Sequence, residues 1–453
     1  MKNINRRDFI QKSLTGLAGA AVLPTILPSC VQHQGANDRL LIGHIGVGSR
    51  GGGELKDYFL PLKDSRSAAF CDVYTDLRTK GAKYVNDYYK KHNMSAPECT
   101  PYLDFEEVIA RDDIDAVHIT TPDHWHVPIA IKAAMAGKHV MVAKPLGLSY
   151  PNYLKLDKVL KENNVRFHYG TQQRSYKYFQ MGIDMIKNGD IGEIEKVLVW
   201  APGKNNVPSP VCNEVPVPAN FDYDKWSGPA PLNTYCPDRV TNNSSWFQND
   251  YSIGFLAGWG AHPLDIMVWG IKDKVSGRYT CEGKGKFWDE GGMYNNILSW
   301  DLDYNYESGM KVQFVSTDVA LSTGLLDNHI TRRKNGNGTT FYGTKGWISL
   351  SRGSVESNIP ALDKKLNKQP KDSNGSLRGS KNMGQMFVDA INGKIAEPCP
   401  LDEAVISDTI SHMGDIAIRR NKQITWDPKK GEVVGDPEGN ALFIREMRSP
   451  YIV

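Results

Sequence analysis

Long apolar runs are missing from the body of this chain. Past the first 38 residues no stretch approaches the roughly 20 apolar residues a membrane-spanning helix needs. A charge excess is missing too. Lys and Arg number 54 against 51 Asp and Glu, a net charge of +3 over 453 residues. That balance gives no case for nucleic acid or for a broad membrane surface as partner. No CxxC pair and no Cys/His spacing suits a structural zinc site, and no metal is expected. Internal repeats are absent. The chain is long enough for two or three domains, and 40% hydrophobic and 10% aromatic residues suit a packed core.

The N-terminus differs from the rest. Arg6-Arg7 precede a short, weakly apolar run from Leu14 to Leu27 that ends in Pro28-Ser29-Cys30. Twin arginines before such a run form a Tat export signature. Cys30 sits where a lipoprotein carries its lipid, and lipid there would be the protein's one link to a membrane. Residues 1–38 are expected to be leader and tether. The expected location is the periplasm, free or lipid-anchored. Six cysteines remain after Cys30, an even number that permits disulfides in an oxidising compartment. Cys212 and Cys236 share one loop-rich region and can pair, while Cys71 falls in an expected central strand as a buried thiol.

From residue 39 the chain alternates strand and helix. Leu40–Ile45 feeds into Gly46-x-Gly48-x-x-Gly51 and a helix start. This order of strand, glycine turn and helix cradles a dinucleotide pyrophosphate. Gly46 permits the turn, Gly48 lets the backbone approach phosphate, and Gly51 lets the helix lie close on the sheet, with Ser49 and Arg50 at its start. Asp72 ends the next expected strand, 21 residues past Gly51. A carboxylate there accepts from the adenosine ribose and repels a 2′-phosphate, so NAD is favoured over NADP. Arg50 is the one feature pointing the other way. Further strands are expected at Asp115–Thr120, His139–Val142 and Val165–Tyr169, which makes residues 39–169 a doubly wound parallel sheet.

After residue 170 the pattern changes. Residues 202–250, rich in Pro, Asn and aromatics, read as a long insertion on the substrate side. Between about 276 and 350 alternating strands dominate, which predicts an open, mostly antiparallel sheet. Residues 351–378 read as a polar loop, followed by helices at about 380–393 and 401–420. The fold class is therefore α/β, with a Rossmann domain followed by an α+β domain over 170–453.

Chemistry-bearing residues cluster at expected strand ends. Lys144 closes an apolar strand, where an ammonium is costly to bury without a task. It can bond a ribose hydroxyl and the reacting oxygen of a substrate. Thr121-Pro122-Asp123-His124-Trp125-His126 closes another strand. Asp123 reads as a helix N-cap, and the loop carrying Thr121, Pro122 and His126 as a cover for the cofactor. His262 opens a helix after Gly258-Trp259-Gly260. An imidazole titrating near neutrality can take a hydroxyl proton as hydride leaves the same carbon. Asp265, one turn on, can orient His262 or bind a sugar hydroxyl. Arg174, Tyr176 and Trp259 are expected near the substrate.

Taken together, Ile45–Gly51, Cys71-Asp72, Thr120–His126, Ala143-Lys144-Pro145, Gly170–Arg174, Asn188–Gly192, Trp226–Ala230 and Gly258–Asp265 resemble the glucose–fructose oxidoreductase/inositol dehydrogenase (Gfo/Idh/MocA) family. The resemblance implies NAD(P), a polyol or sugar substrate and an active site between two lobes. It makes Lys144 a catalytic or orienting residue and His262 the proton-transfer residue, and it implies a cis bond at Lys144-Pro145. Two family carboxylates are replaced here, by Ala143 and by Gly258. Such open-sheet domains often pair face to face, so a homo-oligomer is expected.

Three activities follow as alternatives. In the first, an exported oxidoreductase with retained cofactor acts on a sugar, glycoside or polyol hydroxyl. In the second, a redox-neutral glycosidase oxidises, eliminates and reduces again, like the NAD-retaining α-N-acetylgalactosaminidases that the chain also resembles. The third is a non-catalytic lipoprotein that binds nucleotide or sugar.

Overall fold

The computed structural model describes residues 39–204, 208–241, 244–289, 291–326, 336–369, 371 and 380–453. The expected leader, with Arg6, Arg7 and Cys30, lies outside the described residues.

Six strands form the first sheet: β1 (Leu40–Ile45), β2 (Ser65–Cys71), β3 (Thr100–Tyr102), β4 (Ala116–Ile119), β5 (His139–Ala143) and β6 (Phe167–Gly170). All pairings are parallel, in the order β3-β2-β1-β4-β5-β6. Both faces are covered, so the strands read as apolar runs rather than alternations. Ile42, Ala116, Val117, Ile119 and Val142 have no solvent exposure. The covering helices follow from their stripes. Thr75–Lys91 buries Ala82, Val85 and Tyr89 along one face. Tyr150–Asn163 stops at Asn164, which takes the left-handed conformation at φ +50°. Strand order reverses between β1 and β4, and ligands of such sheets bind outside the strand ends at that point.

Nine strands form the second sheet: β7 (Ile194–Ala201), β8 (Tyr279–Phe287), β9 (Ile297–Tyr306), β10 (Lys311–Ser316), β11 (Gly338–Gly343), β12 (Gly346–Ser351), β13 (Ser354–Ser357), β14 (Ile424–Asp427) and β15 (Glu432–Val433). Their order is β13-β12-β11-β7-β10-β9-β8-β14-β15, antiparallel except for the β7–β10 pair. β9 shows why one face is buried. Trp300, Leu302, Tyr304 and Tyr306 point inward, and Asp301, Asp303 and Asn305 alternate outward. Helices Ala261–Val275 and Leu401–Arg420 pack together over the inner face. Among the described residues no helix is long and apolar enough to cross a membrane.

Three expectations change. Residues 351–378 are not simply a loop, because they hold β13 and the helix Pro360–Asn367. The β12–β13 turn exists because its inward residues Ile348, Leu350 and Val355 join the core. Second, residues 170–453 do not all belong to the second sheet's layer. Helix Met383–Ile391 returns to the first lobe, where Met383, Phe387 and Val388 share an apolar cluster with Leu55, Phe59 and Met141. Third, the insertion 202–250 is more than loop. It carries the helix Tyr223–Ser227 and an aromatic cluster of Phe221, Tyr223, Trp226 and Tyr235 that Tyr251, just beyond it, joins. Cys212 and Cys236 form a disulfide there, with Cα atoms 5.7 Å apart.

Candidate active site

A cavity of about 1050 Å³ opens at the strand ends of the first sheet. One end is lined by Gly46, Gly48, Ser49 and Asp72. The other is lined by Lys144, Trp246, Trp259, His262 and Arg352, with Thr121, Pro122 and His126 between.

The glycine turn is built by close approach. Gly46 has φ +81°, and a Cβ there would sit 2.6 Å from the Thr121 amide nitrogen. A Cβ on Gly51 would strike the Gly46 carbonyl and the Thr120 hydroxyl, which are themselves hydrogen-bonded. The following helix thus lies hard on the turn, and Gly48 at its N-cap offers no side chain to the first-turn N–H groups. Asp72 closes the crevice on the β2 side. Its carboxylate accepts from Val47 N (2.9 Å) and Tyr74 N (2.9 Å), and burial raises its pKa. A cradle that a single Cβ would fill, beside a carboxylate at the second strand end, fits a dinucleotide.

Lys144 follows β5. Its ammonium donates to the Gly258 carbonyl at 2.5 Å and lies 5.5 and 5.9 Å from the ring centres of Trp246 and Trp259. Burial pulls its pKa down to about 8. The Lys144-Pro145 peptide is cis. His126 ties the two loops together, with Nδ1 2.7 Å from the Pro145 carbonyl and Nε2 2.8 Å from that of Thr121. Asp123 is not the N-cap, a place held by Pro122. Its buried carboxylate accepts from Ser252 Oγ at 2.6 Å.

His262 begins the helix Ala261–Val275 and is 2% exposed. Its Nδ1 has no hydrogen-bond partner. Burial, with the nearby charges of Arg352, Lys144 and Arg50, holds the imidazole well below its ordinary pKa and therefore neutral at pH 7. Its ring centre lies 5.9 Å from that of Trp259, so His262 and Lys144 face one indole from the two lobes. Where the resemblance expects a carboxylate, Gly258 supplies its carbonyl instead. A Cβ on Gly258 would meet no atom within 4 Å.

Three expected substrate residues are placed elsewhere. Arg174 meets Asp265 in a two-point buried ion pair, Nε to Oδ2 at 2.9 Å and Nη2 to Oδ1 at 2.6 Å. Thr171 Oγ1 also donates to Asp265 (2.7 Å), and Arg174 Nη1 reaches Glu403 at 2.6 Å. Neither residue lines the cleft. This corrects the expectation that Asp265 orients His262 or binds sugar and that Arg174 touches substrate. Charges this deep are held by one another, because an unpaired buried charge costs several kcal/mol, roughly 3–5 on truncation of one partner. Tyr176 also stands outside the lining and stacks on Tyr178 at 5.4 Å.

Several lining residues escaped the sequence reading. Arg352 arrives from the β12–β13 turn, and Trp246 and Tyr451 come from the insertion and the C-terminal tail. Glu54 is 3% exposed, pairs with Arg50 at 2.6 Å and lies 2.8 Å from His118 Nε2. His118 Nδ1 is 3.2 Å from His44 Nδ1, and His44 Nε2 is 2.8 Å from Ser67 Oγ. A hydrogen-bonded chain thus runs from the cleft into the sheet. Against the effect of burial, His118 and Arg50 keep Glu54 below its usual pKa. Arg50 is accordingly turned toward Glu54, not toward Asp72. The available signal was a histidine inside each of two apolar strands, which strand pairing sets side by side.

Comparison with known proteins follows this geometry. Residues 41–171 match the NAD-binding Rossmann fold of an oxidoreductase family, and residues 197–453 match the C-terminal alpha/beta domain of the same family. A glycosyl hydrolase family 109 protein from Saccharopolyspora erythraea is 32% identical over 160 residues, 35% of this chain and 34% of that protein. Another, from Shewanella putrefaciens, is 27% identical over 222 residues, 43% and 45% of the two chains. The chain thus spans about a third to under half the length of the curated relatives it matches. The fold is shared with the WlbA dehydrogenase from Bordetella pertussis, solved with NADH and UDP-GlcNAcA (TM-score 0.60, 15% identity, 86% of this chain and 98% of that one). It is shared also with aldose-aldose oxidoreductase from Caulobacter crescentus, complexed with glycerol (TM-score 0.58, 15% identity, 86% and 100%). With both of its lobes matched, this chain belongs to the Gfo/Idh/MocA oxidoreductase family.

Proposed function

We propose that the protein transfers hydride to or from a hydroxyl-bearing carbon of a sugar, glycoside or polyol, with NAD held at the glycine turn. One observation carries the reading: Lys144 of the first lobe reaches Trp259, the residue one turn before His262, and all three line a cleft shared with the dinucleotide cradle. Bound NAD supplies the hydride acceptor, or the donor in the reverse direction. The neutral imidazole of His262 takes the hydroxyl proton as the carbon is oxidised. The Lys144 ammonium donates to the same oxygen and favours the alkoxide-like charge that grows on it. Trp246 and Trp259 give a sugar ring apolar faces to stack on. Asp72 favours NAD over NADP.

A second reading, a redox-neutral glycosidase, is supported by the glycosyl hydrolase relatives. A transient ketone acidifies the neighbouring C–H, so elimination needs a base rather than two paired carboxylates. Mass spectrometry of the protein as purified identifies any retained nucleotide. Incubation with aryl glycosides without added cofactor then separates the readings. Aglycone release supports the glycosidase, ketosugar formation with an electron acceptor supports the oxidoreductase, and neither leaves only binding.

Export belongs to the same proposal, because an exported enzyme must keep and regenerate its cofactor. The twin arginines and the Cys212–Cys236 disulfide support it. Fractionation and metabolic lipid labelling at Cys30 test it. The outward face of the second sheet, with Glu282, Lys284, Asp303 and Lys196 exposed, offers the surface for a homo-oligomer, which light scattering checks.

A further inference from the structure

Among the described residues, Arg352 is a cation with no carboxylate in a salt bridge. It sits in the turn between β12 and β13, and that turn is pinned by a hydrogen bond from Gly353 N to the Tyr178 hydroxyl at 2.8 Å. The guanidinium carbon lies 5.6 Å from the Trp259 ring centre, the same indole that Lys144 approaches. Nη2 is buried with no hydrogen-bond partner. Nε lies 3.2 Å from the Gln173 side-chain amide, whose oxygen accepts from it only when that amide is turned end for end.

The carboxylates of this end of the cleft are engaged elsewhere. Glu54 is held by Arg50 and His118, and Asp123 by Ser252. Among the described residues none pairs with Arg352. Lys144 has a backbone carbonyl, that of Gly258, for its hydrogen-bond partner. Two cations therefore lie over one indole; among the described residues Arg352 has no carboxylate in a salt bridge, and Lys144 feels Asp123 and Glu54 only from a distance. A half-buried guanidinium left unpaired is costly, and its planar fork matches an oxyanion in two-point geometry. Arg352 belongs to the second lobe, with His262, and also feels Arg50 at the start of the helix after the glycine turn, so a ligand on the substrate is told from one on the nucleotide by the nucleotide readout below.

We propose that Arg352 selects a sugar carrying an oxyanion substituent, a carboxylate or a sulfate, and seats it against Trp259 with Lys144 and His262 at the reacting carbon. This rests on the sugar-oxidoreductase reading for the substrate's identity as a sugar, but binding tests it apart from turnover. The probes are methyl glucoside, methyl glucosiduronate and methyl glucoside 6-sulfate, with their galacto counterparts. Each is titrated against the purified protein by tryptophan fluorescence and calorimetry at low and high salt. The two anionic arms distinguish carboxylate from sulfate.

At least one anionic probe is expected to bind about tenfold or more tightly than its neutral parent, with the gap narrowing in salt. Arg352→Gln should erase that gap, leave neutral-sugar binding within about twofold and leave retained nucleotide unchanged, while Arg352→Lys should restore part of it. Equal binding of charged and neutral probes overturns the inference. So does an Arg352→Gln variant that weakens all probes alike, or one that loses nucleotide. If the anionic probe binds through Arg352 but is never oxidised or cleaved, the inference stands and the oxidoreductase reading fails. Circular dichroism of each variant reads folding separately, and an unfolded Arg352→Gln leaves Arg352→Lys to decide by the same ratio.

Discussion

The Arg174 guanidinium and the Asp265 carboxylate face each other through two hydrogen bonds, at 2.9 and 2.6 Å, with both side chains almost wholly buried. Asp265 lies one turn beyond His262, so the pair pins the start of the helix that presents the imidazole. Arg174→Met should therefore lower stability by about 3–5 kcal/mol, because it leaves the buried Asp265 charge uncompensated, and Asp265→Asn should cost less, because Glu403 still pairs with Arg174. Urea denaturation measures this. The double variant should recover part of the loss, and full additivity of the two would overturn the pairing.

On the proposed mechanism, His262 should set one limb of the pH profile and Lys144 the other. Since the imidazole is held well below 6.5, its basic form persists through that pH, and oxidation should decline only in more acid solution. Above about 8 Lys144 loses its ammonium, and kcat/KM should fall. His262→Asn should reduce kcat about 10²–10⁴-fold with nucleotide retained. Lys144→Arg should move the basic limb upward. A limb that stays near 8 in that variant would show that another group titrates there.

Lys144 also carries a stability cost. Its folded pKa is depressed, so between about 8 and the ordinary 10.5 the folded protein binds fewer protons than the unfolded chain. Stability should rise with pH across that window. At pH 7 Lys144→Met should stabilise the fold by about 1–3 kcal/mol while abolishing turnover. Chemical denaturation at two pH values tests both signs.

Gly51 admits no side chain. Gly51→Ala should cost about 1–3 kcal/mol and release retained nucleotide, since the Cβ collides with the turn. Gly277→Ala, where a Cβ meets nothing within 4 Å, should change neither. Nucleotide content by mass spectrometry and thermal melting give the two readouts.

The disulfide closes a loop of 24 residues in the insertion that helps to wall the cleft. Replacing Cys212 and Cys236 by Ser should cost about 3 kcal/mol in melting experiments. Dithiothreitol should reproduce the loss in the wild type and do nothing to the variant.

How much of this was legible in advance varies with the range of the interaction. The Leu40–Ile45 strand matches its expected bounds, because the local apolar run and the glycine turn that ends it decide them. Five of the six parallel strands followed from strand–helix alternation; β3, three residues at the sheet edge, was not expected. Residues 351–378 looked like a loop because β13 is only four residues long and its Ser, Glu and Ser flank a single Val. Arg174 and Asp265 looked like substrate ligands because polar residues near a cleft and polar residues paired beneath it have the same one-dimensional signature.

The sequence alone determined the dinucleotide cradle, the order of the two lobes and the identity of Lys144 and His262 as cleft residues. Each of those is written in contiguous residues whose geometry is set by glycine, strand ends and helix starts. Only the tertiary structure decided that Arg352 and Tyr451 line the cleft, that helix Met383–Ile391 caps the first lobe, and which buried charges pair. A buried charge must take whatever counter-charge the fold brings near, and residues such as Arg174 and Glu403 are brought together by packing across more than 200 positions of chain.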